Sequence, residues 1–328
     1  MSQLRWGFLG TGWICDVVAA DFAGTEMKIQ AVGARSLSSA QAFAKKFNIP
    51  NVHEGYQALV NDPEVDIIYI GTPNQLHMEH AMLALNAGKH VLMEKPFAIN
   101  SEQTAKVLEL AKAKNLFLME AMWTRFLPMH DAIFKVIEDG LIGEVMNVMA
   151  DMGHYMPREE NHERLYVKEL GGGALLDLGI YPISFIVRAL GTPKSITARS
   201  INNEEGIDVY SAGIMEFEGG KSAIFQSALA IIGPVSLAVN GTKGYIEVEG
   251  RFYEQTSFKV FNNDRKLIHS YDEDVFGTGR QYQALEVERC INAGLLESPR
   301  ITHANTLEMV GILDQIREQI GVKFEWDK

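Results

Sequence analysis

Cysteine is nearly absent: Cys15 and Cys290 are the two among 328 residues. The two lie far apart in sequence without metal-type spacing, and read as free buried thiols in a reducing compartment. Uninterrupted hydrophobic runs are also missing. The most apolar long stretch, Ala174–Leu190, contains Asp177 and Arg188, which argues against a membrane span. The early run Trp6–Leu9 ends in glycines and reads as a strand, not as a leader. Together these features make the cytoplasm the expected location. Positive charge is in deficit, with 30 Lys plus Arg against 42 Asp plus Glu and a net charge of −12. That balance argues against a nucleic acid or an anionic membrane as the main partner, and points to a small-molecule substrate. His77 and His80 stand three apart with no cysteine or carboxylate group to complete a site, so no metal is expected.

What is present is ordinary for a globular protein: 47% hydrophobic and 22% charged residues, at a length that suggests two domains. The first third alternates strand-like runs (Arg5–Leu9, Ile29–Ala34, Asp66–Gly71, His90–Met93, Leu116–Met119) with helical patterns (Ile14–Phe22, Ser38–Phe47, Leu76–Ala87, Ser101–Lys114). Such alternation predicts an α/β, doubly wound parallel sheet. After Met119 the texture changes. A helix over Met129–Asp139 precedes an extended run, Glu144–Gly153, a polar loop, Arg158–Leu170, and three glycines opening an apolar helix that ends at Leu190. Residues 195–270 form β-rich segments with tight-turn signals, predicting a mostly antiparallel open sheet, and two helices close the chain. The expected division is a nucleotide-binding domain over 1–121 and a substrate-binding and dimerisation domain over 122–328.

Gly10-Thr11-Gly12-Trp13-Ile14-Cys15 follows the first strand and opens the first helix. It matches G-x-G-x-x-G/A except at Cys15, where a small residue is needed for helix–strand packing. Amides at that helix start favour a pyrophosphate. The second strand ends Ala34-Arg35-Ser36 and carries no acid, and none occurs before Glu54. NAD enzymes usually place a carboxylate there for the ribose 2′-hydroxyl; an arginine and a serine suit a 2′-phosphate. NADP is therefore the expected cofactor, with NAD as the alternative.

Two further clusters carry chemistry. Glu94-Lys95-Pro96 ends a strand, where open α/β sheets bind ligands, and a lysine there can stabilise a developing alkoxide. In the segment Gly171–Tyr181, Asp177 and Tyr181 stand four apart and are expected on one helix face. The loop 158–170 offers Arg158, His162, Arg164 and Tyr166 to substrate hydroxyls.

Taken together, the glycine turn, Gly71-Thr72-Pro73-Asn74, Ala87-Gly88-Lys89-His90-Val91, Glu94-Lys95-Pro96 and the Gly171–Tyr181 segment resemble the glucose–fructose oxidoreductase/inositol dehydrogenase (Gfo/Idh/MocA) family. Met119–Phe126, and Tyr181 where many members carry histidine, resemble its dimeric dihydrodiol dehydrogenase and NADP-dependent xylose dehydrogenase branch. The resemblance implies hydride transfer between the nicotinamide and a sugar, cyclic polyol or vicinal diol. It implies Lys95 as the catalytic lysine, Tyr181 as proton donor or acceptor and Asp177 as a substrate-orienting group. Thr72, Pro73, His77 and Glu94 would line the cofactor, with Trp123 and Arg125 beside the nicotinamide or substrate. A homodimer joined through the C-terminal sheet is expected, because segments such as Ser222–Leu229 are apolar on both sides. Two alternatives stay open: a non-catalytic regulator that binds the nucleotide, and a hydrolase or eliminating enzyme that recycles a tightly bound cofactor.

Overall fold

The computed structural model describes residues 3–327. The chain divides into two compact units, Met1–Phe126 with Phe276–Leu307, and Leu127–Val275 with Glu308–Lys328. The division is not a single cut in the sequence, because a late segment belongs to the first unit.

The first unit runs β1 (Arg5–Leu9), α1 (Trp13–Phe22), β2 (Lys28–Ala34), α2 (Leu37–Phe47), β3 (Asn51–Glu54), α3 (Tyr56–Val60), β4 (Ile67–Ile70), α4 (His77–Asn86), β5 (His90–Glu94), α5 (Ser101–Lys114) and β6 (Leu118–Ala121). The sheet order is β3-β2-β1-β4-β5-β6, with every pair parallel. Central strands are buried on both faces, so Ile67–Ile70 reads as a continuous apolar run and not as an alternation. Phe8 packs on Tyr69 (centroids 4.9 Å apart) and on Phe22 (5.6 Å), fixing α1 against the sheet. β3 and α3 escape a reading by hydrophobic pattern, since Asn51-Val52-His53-Glu54 is mostly polar and half exposed. β6 also starts two residues later than its pattern suggests.

The second unit opens with α6 (Pro128–Glu138) and β7 (Val145–Gly153). It continues through α7 (Ile180–Leu190) into β8 (Ser195–Asn202), β9 (Asp208–Glu216), β10 (Ser222–Ala228), β11 (Leu237–Gly241), β12 (Gly244–Val248), β13 (Phe258–Asn262) and β14 (Leu267–Tyr271). Helices α8 (Gln281–Asn292) and α9 (His303–Ile320) follow; α8 lies in the first unit. The eight-stranded sheet has the order β14-β13-β12-β11-β7-β10-β9-β8. It is antiparallel except for the parallel β7–β10 pair at its centre. One face buries Val148, Met215, Ala223 and Phe225, and α7 packs on β7 and β10. Across the other face Met149, Ile224 and Ile214 form a directly paired apolar row, each roughly half exposed.

Lys168–Leu190 is long and apolar enough to cross a membrane despite Asp177 and Arg188, which corrects the polarity argument made from the sequence. Its apolar window is 89% buried inside the protein, as a core helix would be.

Candidate active site

The first unit places its motifs on one edge of the parallel sheet. Gly10, Gly71 and Lys95 follow the carboxyl ends of the adjacent strands β1, β4 and β5. Gly10 has φ +113°, a conformation that side chains rarely adopt, and its amide donates to Gly33 O at 3.0 Å. Gly12 caps α1 without a side-chain hydrogen bond, so the first-turn amides keep no side-chain acceptor there. A Cβ on Gly12 would meet no atom within 4 Å, and backbone can therefore be approached closely from that side. Thr11 and Ile14 are half-buried and Trp13 is exposed. Cys15 fills the third motif position: its Sγ lies 3.6 Å from Gly71 O. A Cβ added to Gly71 would fall 2.4 Å from that sulfur, so glycine at 71 makes room for cysteine at 15. Burial pushes the Cys15 thiol well above its ordinary range, which makes it a packing group and not a nucleophile.

At the end of β2, Arg35 is exposed and makes no ion pair among the described residues. Ser36 caps α2, its Oγ accepting from Ser39 N at 3.3 Å. No acid occupies the first turn of α2. A helix start, a guanidinium and serine hydroxyls thus converge where a ribose 2′-phosphate would sit in a Rossmann fold, and the residues fit that group.

Around Lys95 the environment is buried and polar. Glu94 accepts from Tyr69 Oη at 2.8 Å and from Lys95 N at 3.3 Å. Burial raises the Glu94 carboxyl above its usual range, opposed first by Lys95, then by Tyr69 and Arg280. Thr72 Oγ1 lies 2.9 Å from His80 Nδ1. His77 is buried, with Nδ1 2.8 Å from Pro96 O and Nε2 2.8 Å from Thr72 O. Burial lowers the His77 pKa to about 4, and a neutral imidazole donates to only one of these carbonyls. His77 therefore lies between the backbones of two motifs and ties down one of them, Thr72 O or Pro96 O.

Trp123 and Arg125 lie in a short helical turn, Trp123–Phe126, and both are buried. Arg280 stacks its guanidinium 3.8 Å from the Trp123 ring centroid. Asp21 of α1 accepts from Thr278 N (3.0 Å), Thr278 Oγ1 (2.5 Å) and Arg280 N (2.9 Å), tying that segment to α1. Arg125 offers its carbonyl to Arg300 Nη2 at 2.8 Å. It also opposes the burial that lifts the neighbouring Glu120 to about 7. Sequence reasoning missed Arg280; its one local signal is the irregular run Phe276-Gly277-Thr278-Gly279 before it.

The second unit holds Arg164, Asp177 and Tyr181. Asp177 and Tyr181 belong to one helical run whose first turn is irregular. Residues Leu175–Gly179 form one wide, π-type turn, and α7 starts at Ile180. At the start of this run buried Asp208 accepts from Leu175 N at 2.7 Å, and Gly173 just before it adopts φ +123°. Asp177 pairs with Arg164 at 3.1 Å. Tyr181 is buried and packs on Tyr253, with centroids 5.5 Å apart. Tyr253 in turn meets the edge of His154 at 5.6 Å. Neither Tyr253 nor His154 stood out in the sequence. In the polar loop, Arg158 pairs with Glu205 at 2.8 Å and Tyr166 donates to Met156 O at 2.8 Å, so both are committed within the protein. Among the described residues no His/Cys/Asp/Glu group could hold a metal ion.

Comparison with known proteins agrees with this architecture. Residues 4–122 match the Gfo/Idh/MocA oxidoreductase family, NAD-binding Rossmann fold, and residues 130–247 match the Gfo/Idh/MocA C-terminal domain. Trans-1,2-dihydrobenzene-1,2-diol dehydrogenase of Xenopus laevis is 35% identical over 332 residues, covering 98% of this chain and 99% of the relative. The protein of the same name from Danio rerio is 34% identical, covering 99% of each. Among solved structures, an aldose-aldose oxidoreductase from Caulobacter crescentus complexed with glycerol superposes with a TM-score of 0.88 at 22% identity, over 97% of each chain. A 3-ketoreductase from Actinomadura kijaniata in complex with NADP and TDP-benzene superposes with a TM-score of 0.84 at 24% identity, over 97% of this chain and 98% of that one. With a Rossmann unit carrying the glycine turn and a family match along most of its length, the chain belongs to the Gfo/Idh/MocA family of NAD(P)-binding oxidoreductases.

Proposed function

We propose that the protein is an NADP-dependent dehydrogenase or reductase acting on a CH–OH group of a sugar, cyclic polyol or vicinal diol. One observation carries this reading. The glycine turn, Thr72 and Lys95 follow three neighbouring parallel strands on one sheet edge, where open α/β sheets bind nucleotide and substrate. The names of the dihydrodiol dehydrogenase relatives support the substrate class. Arg35 and the capped start of α2 support NADP over NAD.

When bound, the nicotinamide supplies the hydride acceptor or donor. The chain's own groups handle the proton and the charge. In this reading Tyr181 exchanges the hydroxyl proton, and Lys95 stabilises the negative charge that develops on the oxygen. Asp177, held by Arg164, orients the substrate. Arg164 accordingly acts on the substrate through Asp177. Glu94, Thr72 and Pro73 shape the floor near Lys95, while Trp123 and Arg125 complete the nicotinamide side.

The first unit takes the cofactor role and the second the substrate role. The protein forms a homodimer in this reading, and the exposed Met149–Ile224–Ile214 row supports the outer face of the second unit's sheet as its surface. Two unpaired thiols, Cys15 and Cys290, accord with a cytoplasmic enzyme. The test is a panel of pentoses, hexoses, inositols and trans-dihydrodiols assayed with NADP and NAD. The reading expects turnover of at least one polyhydroxylated compound with NADP preferred. No turnover across the panel with either cofactor would overturn it.

A further inference from the structure

Glu120 lies on β6 and pairs in register with Met93 of β5, so it stands beside the strand that Lys95 follows. Its side chain is buried, and an acid so placed needs partners. It has two. Phe97 N, two residues past Lys95, donates to Oε1 at 3.2 Å. Thr306 Oγ1, in the first turn of α9, donates to Oε2 at 3.2 Å. The carboxyl group therefore links the Lys95-Pro96-Phe97 turn to β6 and to the start of α9, all within the first unit.

Charges act on Glu120 from the turn after β6 and from β5. Arg125, on that turn, favours the ionised acid, while Glu94 of β5 opposes it together with burial. From α9 comes the Thr306 hydroxyl; His303 of the same helix is turned to Leu118 O at 2.9 Å. Burial outweighs the rest and lifts the carboxyl to about 7. Near neutral pH the acid thus has two forms that treat the Lys95 turn differently. The ionised form accepts from Phe97 N with its charge, and such a bond is about twice as strong as a neutral one. In the protonated form Oε1 still accepts from Phe97 N, and Oε2 donates to Thr306 Oγ1, because a hydroxyl can reverse its role. The geometry is kept, but the hold on the turn weakens and the Arg125 charge loses its counterweight.

We propose that Glu120 is a positioning residue: its negative charge holds the turn that carries Lys95, through Phe97 N, and full turnover requires that charge. The inference rests on the reading of Lys95 as the group that stabilises the developing negative charge. It goes beyond that reading by naming what fixes Lys95 and which ionisation controls it.

Glu120→Gln is the variant, because its amide reproduces the protonated acid, with the carbonyl on Phe97 N and the amino group on Thr306 Oγ1. kcat is measured at saturating NADP with the panel compound that is turned over fastest. At pH ~8 the variant should be roughly 3- to 10-fold slower than wild type, the difference between a charged and a neutral hydrogen bond. At pH ~6 the two should agree within about 2-fold, since both then carry an uncharged group. Any pH dependence owed to Tyr181 is shared by both and drops out of the ratio. In a Lys95→Met background Glu120→Gln should cost less than about 2-fold at either pH, because the group it positions is gone. A wild-type to variant ratio that stays constant with pH would mean a merely structural role and overturn the proposal.

A readout that needs neither substrate nor cofactor is the Phe97 amide, followed by NMR in protein labelled with ¹⁵N-phenylalanine and assigned through Phe97→Leu. An amide bonded to a carboxylate reports its titration, so the Phe97 signal should move with a midpoint of about 7 in wild type and stay still in Glu120→Gln. A wild-type signal that does not move between pH ~6 and ~8 overturns the proposal without any charge variant. Near-wild-type turnover in Lys95→Met would bring down the Lys95 reading and this proposal with it. A crippled Lys95→Met beside a pH-independent ratio overturns this proposal alone.

Discussion

Replacing Arg35 with alanine isolates the choice of nucleotide. Arg35 directly follows β2 on the surface, beside the helix start that Ser36 caps. A 2′-phosphate bound there would gain a charge-assisted hydrogen bond, worth about 1.5–3 kcal/mol where solvent is excluded. Because Arg35 is exposed, screening pulls the expected value to the lower part of that range. That corresponds to a rise of roughly 10- to 30-fold in the NADP KM. NAD lacks the phosphate, so its KM should change less than about 2-fold. Ser36→Ala is a poorer probe: it removes the N-cap as well, at about 1 kcal/mol of helix stability. Steady-state kinetics with both cofactors at two ionic strengths makes the test, and high salt should shrink the wild-type preference. Equal losses for NADP and NAD, or a wild-type enzyme that prefers NAD, would refute the reasoning.

Other outcomes follow from buried charge and exposed apolar surface. Burial lifts the Asp208 carboxyl from 3.8 to about 7, so between those values the folded protein keeps a proton that the unfolded chain has lost. Its stabilising contribution is full below pH ~4 and is lost as pH rises to ~7, at about 1.4 kcal/mol per pH unit. Urea melts across that window should show the decline, and Asp208→Asn should flatten it; an unchanged slope in the variant removes Asp208 as the cause. Arg317 is buried between Asp314 and Asp327, both at 2.6 Å, and Arg317→Ala should cost about 3–5 kcal/mol by stranding their charges. A loss under about 1 kcal/mol in chemical denaturation would contradict that. Light scattering across a dilution series should give a dimer, and Ile224→Lys should shift it toward monomer; a wild-type monomer at micromolar concentration counts against the sheet-face interface.

The strands of the first unit were legible because their residues are buried on both faces, and a run such as Ile67–Ile70 can hardly be anything else. The short polar β3 was not, since its pairing to β2 is backbone chemistry that leaves little trace in side-chain pattern. The glycine turn was readable for the same reason that glycine is required: Gly10 needs its positive φ. The four-residue spacing of Asp177 and Tyr181 was legible, but the wide, π-type turn that carries Asp177 was not. Asp208, about thirty residues downstream, accepts from Leu175 N, a partner that no local pattern encodes. Arg280 on Trp123 and His154 on Tyr253 were illegible in a stricter sense. Both contacts join residues about a hundred or more positions apart, and no local pattern encodes them.

The central claim is that Tyr181 moves the proton and Lys95 supports the charge. The most direct measurement is kcat for Tyr181→Phe, Lys95→Met and the double variant, with NADP affinity followed by fluorescence titration. Each single change should lower kcat by a factor of roughly 10² to 10⁴. The double variant should lose little beyond the worse single, because groups that act together are not additive. NADP affinity should survive Tyr181→Phe. Near-wild-type turnover in Tyr181→Phe would reduce Tyr181 to an aromatic packing against Tyr253 and contradict the account.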